Sequence, residues 1–326
     1  RHLTEDADYH INLEVKLKSD CVWAKAGHVV ATEQFLLKER KRKSEMPEPS
    51  EPLQVIEERQ YIRFRAPGTE VSFDSKTGMM IALRYDGQNL IHRQQGPSLN
   101  WYRSINNDPR EWIQPVIALR GFDWKMAEDG KSASILSEIE VKVGKVTVPY
   151  TIRYQVYSNG VVDVAADFTT GSNFDLPRLA LQMFLNPSLE QVEWYGRGPM
   201  ENYRDRKNAA YVGRYQTTVT DMAEHYARAQ TMGGRTDTRW LSLTDDRGKG
   251  LKITATDTVD FSVQHYTDKD LWQVKYGHDL PDIRRAEVVL NLDCIQRGLG
   301  NASCGPGPRP HYEIRKDTVY SYSFRM

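Results

Sequence analysis

The 326 residues carry 44 Lys and Arg against 44 Asp and Glu, a net charge of zero, which removes the electrostatic case for nucleic acid or an anionic membrane and suits a neutral partner. Hydrophobic residues make up 39% of the chain, with 17 Tyr and 7 Trp, enough for a sizeable core, and no apolar run approaches the roughly 20 residues of a membrane span. The three cysteines, Cys21, Cys294 and Cys304, lack paired spacing, so free thiols are expected rather than a disulfide framework, and no CxxC or HxxxH pair suggests zinc.

The first ten residues, RHLTEDADYH, show no basic-then-apolar signal pattern. Tyr9, Ile11, Leu13, Val15 and Leu17 alternate with polar residues and predict a half-buried strand; Val22-Trp23, Val29-Val30 and Phe35 to Leu37 supply one or two more. So few strands cannot close a sandwich, and residues 1–40 are expected to be the tail of a domain that begins upstream. The run KERKRKSEMPEPSEPLQ combines a basic cluster with Pro47, Pro49 and Pro52 and offers only Met46 and Leu53 as large apolar groups. It cannot bury enough surface to order itself, which predicts a linker over 41–55. As a nucleic-acid arm it is too short and has no interleaved aromatic residues.

From 56 to 326 strands follow one another with little room for helices. Ile62 and Phe64, Val71 and Phe73, and Met79, Ile81 and Leu83 precede a turn at Asp86-Gly87. Val141 to Val148 and Ile152 to Val156 lead into Ser158-Asn159-Gly160, a hairpin signal, and then Val161 to Phe168. Further strands are predicted at Leu179 to Leu185, Leu189 to Tyr195, Trp240 to Leu243, Leu251 to Ala255, Phe261 to His265, Val288 to Leu292 and Thr318 to Phe324. One short helix is expected over Thr220 to Ala229, capped by Thr220 or Asp221. The absence of βαβ alternation excludes a parallel sheet and a (β/α)₈ barrel, and no fixed period supports a propeller. The expectation is all-β: one large antiparallel two-sheet sandwich. Trp101, Tyr102, Trp112, Phe122 and Trp124 are expected to pack in its core and rim.

The densest polar stretch is Glu193 to Arg206, EWYGRGPMENYRDR. Gly196, Gly198 and Pro199 are expected to turn the chain sharply after a strand ending at Tyr195, presenting Glu201, Asn202, Tyr203, Arg204, Asp205 and Arg206. Glu201 and Asp205 are close carboxylates, but Arg204 and Arg206 beside them would hold both ionised and ion-paired, which suits a clamp better than a general acid. Farther on, Arg235, Asp237 and Arg239 alternate and are expected on one strand face, with Trp240 on the other.

Trp194, Gly196, Gly198, Pro199, Glu201, Asn202, Tyr203, Asp205 and Arg206 resemble the WxGxGPxENYxDR signature of the large family 2 β-galactosidases. Ala26-Gly27-His28, Gly234 to Trp240 and Gly298 to Pro306 (GLGNASCGP) resemble three more of that family's segments, in the same order. The resemblance implies the end of an Ig-like domain, a linker, and a very large sandwich similar in fold to galactose mutarotase. It implies a retaining glycosidase whose two catalytic glutamates sit on an upstream barrel, so this chain alone is expected to be inactive and to supply no catalytic residue. Mg and Na, where the family uses them, are held in domains absent here. Partners implied are a β-galactoside or other carbohydrate, the upstream barrel and a homo-oligomer, in a cytoplasmic or periplasmic setting.

The resemblance also implies a cleft or active-site rim formed by Glu201, Asn202, Tyr203, Arg206, Arg235, Arg239, Ser303 and Cys304. Two departures bear on it. Cys304 or Gly305 stands where family members carry a sugar-stacking tryptophan, and neither offers a π-face. Gln230-Thr231-Met232-Gly233 replaces a QENG-like sequence, removing a glutamate that could hold Arg235 or Arg239. Other classes considered are a carbohydrate-binding module and a mutarotase-like epimerase using His225, His265, His278 or His311 as acid, with Glu193 or Glu201 as base.

Overall fold

A computed structural model of the chain describes residues 3–40, 48, 51–106, 108, 115–301 and 305–326. Most of the expected linker, and Trp112, Ser303 and Cys304, therefore lie outside the described residues. A first hairpin pairs β1 (Tyr9–Lys16) with β2 (Val29–Lys38). A five-stranded meander follows: β3 (Gln54–Glu58), β4 (Tyr61–Ala66), β5 (Thr69–Asp74), β6 (Met79–Tyr85) and β7 (Gln88–Asn89). β3 begins two residues inside the segment expected to be linker, and Leu53 just before it is buried.

The rest builds one twelve-stranded sheet: β8 (Ser98–Asn100), β9 (Val116–Met126), β10 (Ser132–Val143), β11 (Val146–Tyr157), β12 (Val162–Thr169), β13 (Arg178–Leu185), β14 (Gln191–Gly198), β15 (Tyr211–Thr218), β16 (Arg235–Thr244), β17 (Gly250–Gln264), β18 (Val288–Gln296) and β19 (Val319–Arg325). Its main row runs β15-β14-β16-β17-β19-β12-β11-β10-β9. The 15-residue β17 also pairs β18, which pairs β13, which pairs β8, so the sheet curls around its own core. Every pairing is antiparallel.

Period-two sequence produces this directly. On β10 the residues Ala133, Ile135, Ile139 and Val141 are buried while their neighbours are not, and β11 and β12 repeat the alternation. The meander closes one side of the core: Phe73 meets Tyr154 with ring centroids 5.0 Å apart, and Phe64 meets Trp124 at 5.5 Å, both edge to face. Such aromatic pairs contribute about 0.5–1.5 kcal/mol beyond the area they bury. Of the aromatic group, Tyr102 is buried, and Trp101, Phe122 and Trp124 pack partly buried against the core, as expected. Asp86-Gly87 and Asn159-Gly160 turn as their chemistry demands. Gly160 has φ +85°, and a Cβ there would lie 2.7 Å from the Thr69 side chain.

Two local expectations need correction. Thr220 to Ala229 forms only a 3₁₀ turn at Thr220–Met222, in which Met222 alone is buried. Among the described residues the one α-helix is α1 (Asp268–Gln273), held by a capping box in which Thr267 and Asp270 each accept the other's backbone N–H. Leu251 to Ala255 and Phe261 to His265, expected as separate strands, fall on the single long β17, which ends at Gln264.

On the hairpin, Leu13, Val15, Phe35 and Leu37 are each at least 50% exposed, so no described residue covers its apolar faces. It meets the large sheet through polar contacts: Gln34 exchanges two hydrogen bonds with the backbone of Val212, at 2.8 and 3.0 Å, and Tyr195 donates its hydroxyl to Asp8. Among the described residues no helix is long and apolar enough to cross a membrane.

Candidate functional site

β14 carries the signature segment and does not end at Tyr195. It continues through Gly196 and Gly198, paired with β15 along its whole length and with β16 only as far as Tyr195. The glycines there serve packing rather than a turn. A Cβ on Gly196 would lie 2.7 Å from the Thr238 Cα, and one on Gly198 would lie 2.9 Å from the Trp194 ring. The chain leaves the strand at Pro199, and the polar residues fold back against β16.

Asn202 is buried and stitches that loop down. Its backbone N–H donates to Gly234 (2.8 Å), its amide nitrogen to Met200 (3.0 Å), and its amide oxygen accepts from the N–H and hydroxyl of Thr236 at 2.9 and 2.6 Å. Glu201 accepts from the Gly233 N–H at 2.8 Å, from the Tyr203 hydroxyl at 3.1 Å and from the Tyr226 hydroxyl. Burial and the Glu201 charge push the Tyr203 phenol well above its ordinary range, and the same two causes raise Tyr226, so both phenols stay protonated as donors.

Asp205 reaches the opposite way, to the glycine-rich loop. It accepts the N–H of Leu299 at 3.0 Å and that of Gly300 at 2.8 Å. Arg206 donates to the Gly300 carbonyl, and Arg204 donates to the His311 carbonyl at 3.2 Å. The expected ion pairs between these two arginines and Glu201 or Asp205 do not form among the described residues: all four groups bind backbone or phenol instead. The structure therefore brings Glu201, Asn202, Tyr203 and Arg206 together beside the base of the 298–305 loop.

Arg235 and Arg239 part company. Arg235 is 4% exposed, its guanidinium 5.4 Å over the Trp194 ring, donating to Gly234 while its Nε has no partner among the described residues. Desolvation lowers its pKa, opposed by the nearby Tyr203, Glu224 and Glu201. Arg239 lies over Tyr195 instead, at 5.7 Å. Successive residues of β14 point to opposite faces, so the two arginines flank the sheet from opposite sides. The cause is a bulge: Asp237 has φ +52°, and the β16–β17 register shifts on both sides of Thr238. Asp237 itself pairs with Arg197 at 2.5 Å and Lys207 at 2.9 Å; burial opposes ionisation, but these two cations hold its carboxyl low. Trp240 lines the same cavity as Arg239 rather than the opposite face. Where a glutamate was missed, Thr231 accepts from the Ser104 N–H and donates to Asp268, both at 2.6 Å.

The histidines do not assemble an acid–base pair with Glu193 or Glu201. His265 is buried between Glu190 (2.9 Å) and the Glu287 carbonyl (3.1 Å), His278 sits beside Asp279, and His225 and His311 are exposed. Glu193 is taken by Arg214. Among the described residues no three His, Cys, Asp or Glu side chains converge on a metal position. Cys21 and Cys294 are free thiols, and burial pushes Cys294 up to about 12.

Two features escaped the sequence. Tyr226 as a Glu201 donor has no local signal. Neither has a cavity of about 860 Å³ on the face of the large sheet turned away from the core, lined by Gln155, Asp163, Arg239, Trp240, Thr256 and Arg325 among others.

The family model for the β-galactosidase small chain matches residues 65–326, and that for β-galactosidase domain 4 matches residues 1–38. A β-galactosidase of Priestia megaterium is 24% identical over 99% of this chain and 32% of its own length, and one of Vibrio cholerae is 27% identical over 94% and 32%. The chain thus spans about a third of the length of the curated relatives it matches. Among solved structures, an aldose epimerase homologue from C. elegans aligns over 84% of this chain and 97% of its own, with TM-score 0.44 and 10% identity. A galactose mutarotase-like protein from Lactobacillus casei aligns over 83% and 98%, with TM-score 0.42 and 9% identity.

Proposed function

We propose a supporting, non-catalytic role on one established premise: the chain belongs to the β-galactosidase small-chain family. It acts as the C-terminal part of a longer retaining enzyme that hydrolyses terminal β-D-galactosyl linkages, with the acid and the nucleophile on an upstream barrel. Retention requires two carboxyl groups about 5–5.5 Å apart and free to act on substrate. The observation that carries the reading is that both carboxylates of the signature loop are committed to holding backbone: Glu201 fixes Gly233 and two phenols, and Asp205 fixes Leu299 and Gly300.

What the loop does is shape a rim. Glu201, Asn202 and Tyr203 anchor the segment on β16, and Asp205 with Arg206 sets the base of the 298–305 loop, which contains Ser303 and Cys304. Arg235 stiffens this locus from within rather than facing substrate. The uncovered apolar faces of the β1–β2 hairpin support a further partner: additional strands of the same polypeptide that complete its sandwich. The test is to assay the purified chain on a chromogenic β-galactoside. No turnover is expected, and turnover at a rate typical of enzymes overturns the reading.

A further inference from the structure

His265 follows β17 directly, is 3% exposed, and turns both of its ring nitrogens toward oxygens. Nδ1 lies 3.1 Å from the Glu287 carbonyl, and Nε2 lies 2.9 Å from Glu190 Oε2. A peptide carbonyl can only accept, so Nδ1 must carry a proton and donate. Burial opposes ionisation of Glu190, but the hydroxyl and N–H of Thr220 and the His265 ring hold its carboxyl below the usual carboxylate range. An ionised carboxylate also only accepts, so Nε2 must donate as well. Neutral imidazole has one N–H and satisfies one of the two oxygens, whereas imidazolium satisfies both.

What the pair holds is a turn. The other carboxylate oxygen of Glu190 accepts the Thr220 N–H at 2.9 Å and the Thr220 hydroxyl at 2.5 Å, and the Glu190 carbonyl accepts the Val219 N–H at 2.8 Å. One residue before His265, Gln264 donates to the Met232 carbonyl at 2.8 Å. The stretch from 219 to 233 is thus fastened near both ends to the end of β17, once by a neutral amide and once through a proton. Tyr226 and Gly233, which both donate to Glu201, lie on it.

The surrounding charges leave the pair responsive. Glu190 opens on a surface cleft shared with Thr220, Asp245, Asp246, Arg247 and Arg284, so protons reach it from solvent. Arg284 donates to the Thr220 hydroxyl at 3.1 Å, and Asp221 accepts from Thr218 at 2.8 Å. On the other side Arg285 is answered by Asp270 at 2.5 Å and by Glu287 at 3.1 Å, and the His92 charge bears on the Glu287 carboxylate. Among the described residues Glu190 is the one carboxylate bonded to the ring. Loss of the second ring proton therefore sets the Nε2 lone pair against that carboxylate, two acceptors with nothing between them.

We propose that His265 and Glu190 form a proton-dependent latch on the 219–233 segment, closed while the ring is an imidazolium and released as the ring gives up its second proton. The hold is present at lower pH and lost as pH rises through the deprotonation of the ring. At the acid limit it is lost again, when Glu190, held low, is protonated. Release loosens two donors of Glu201. It involves no carbohydrate and no catalysis, so its failure leaves the turnover assay of the supporting role untouched.

The test is nitrogen-15 NMR of the His265 ring in the intact chain, read beside amide exchange at Val219 and Thr220 as pH is raised from about 5 to about 8. Loss of the second ring proton should coincide with an about tenfold or greater loss of protection at these two amides, corrected for intrinsic exchange. His265→Gln keeps a donor for Glu190 but does not titrate, and should make that protection independent of pH over the same range. Should it unfold by circular dichroism, Glu190→Gln, which keeps an acceptor for Thr220 without the charge, should do the same. Protection that stays constant while the ring deprotonates, a ring that never takes up a second proton in this range, or pH dependence that survives in a folded variant overturns the proposal.

Discussion

Asp205 accepts the backbone N–H of Gly300 across 95 residues of sequence, at 2.8 Å, and so fixes where the glycine-rich loop starts. With the second bond to Leu299 it is a charge-assisted clamp. Asp205→Ala should cost about 1.5–3 kcal/mol in denaturant unfolding. The same variant should speed amide hydrogen exchange at Leu299 and Gly300 while leaving β10 and β11 protected. Unchanged exchange at those two amides would show that the loop is held by something else.

Arg178 is the most committed charge in the core. It lies 1% exposed between Asp293, 0% exposed, and Asp268, to which it donates at 2.9 Å. The two carboxylates keep it ionised against full burial. Arg178→Met leaves both of them buried without their cation and should lose about 3–5 kcal/mol, read from the urea midpoint. A loss under 1 kcal/mol would mean water reaches them.

Gly196 predicts a steric result. Alanine there would press on the Thr238 backbone and should cost about 1–3 kcal/mol, whereas Gly171→Ala, with open space around it, should stay within about 0.5 kcal/mol. Paired thermal melts of the two variants decide it.

Asp260 sets a pH dependence. It is pushed up to about 7, first by burial, although it accepts the Asp237 N–H, and the charges of Asp237 and Asp293 add to the shift. A carboxyl raised in the folded state binds its proton there while the unfolded chain has already released it. Its contribution is therefore fully present below the ordinary value of 3.8 and is lost as pH rises toward about 7. Wild type minus Asp260→Asn stability should fall across that window and level off above it. Asp237, held low, acts at lower pH in the opposite sense.

The strands were legible because their burial alternates residue by residue, and Asn159-Gly160 and Asp86-Gly87 were legible because few other pairs tolerate those turns. The bulge at Asp237 was not. Strict alternation of Arg235, Asp237 and Arg239 reads as one face, and only the pairing partners on β17 reveal that the register slips and sends the arginines apart. The Glu201–Tyr226 contact and the outer-face cavity were hidden for a related reason: each joins residues whose neighbourhood is set by sheet order, which a linear pattern of polar and apolar residues leaves undetermined. The helix at Asp268 did carry its signal, Thr267 three residues before Asp270, but six residues are too few to show a period.

The central claim is that the chain's own carboxylates hold structure and perform no chemistry. The direct measurement is turnover of a chromogenic β-galactoside by the purified chain, beside Glu201→Gln and Asp205→Asn. The account predicts no hydrolysis above buffer for any of the three. Turnover by the unsubstituted chain at about 1 s⁻¹ or faster, abolished by either substitution, would contradict it.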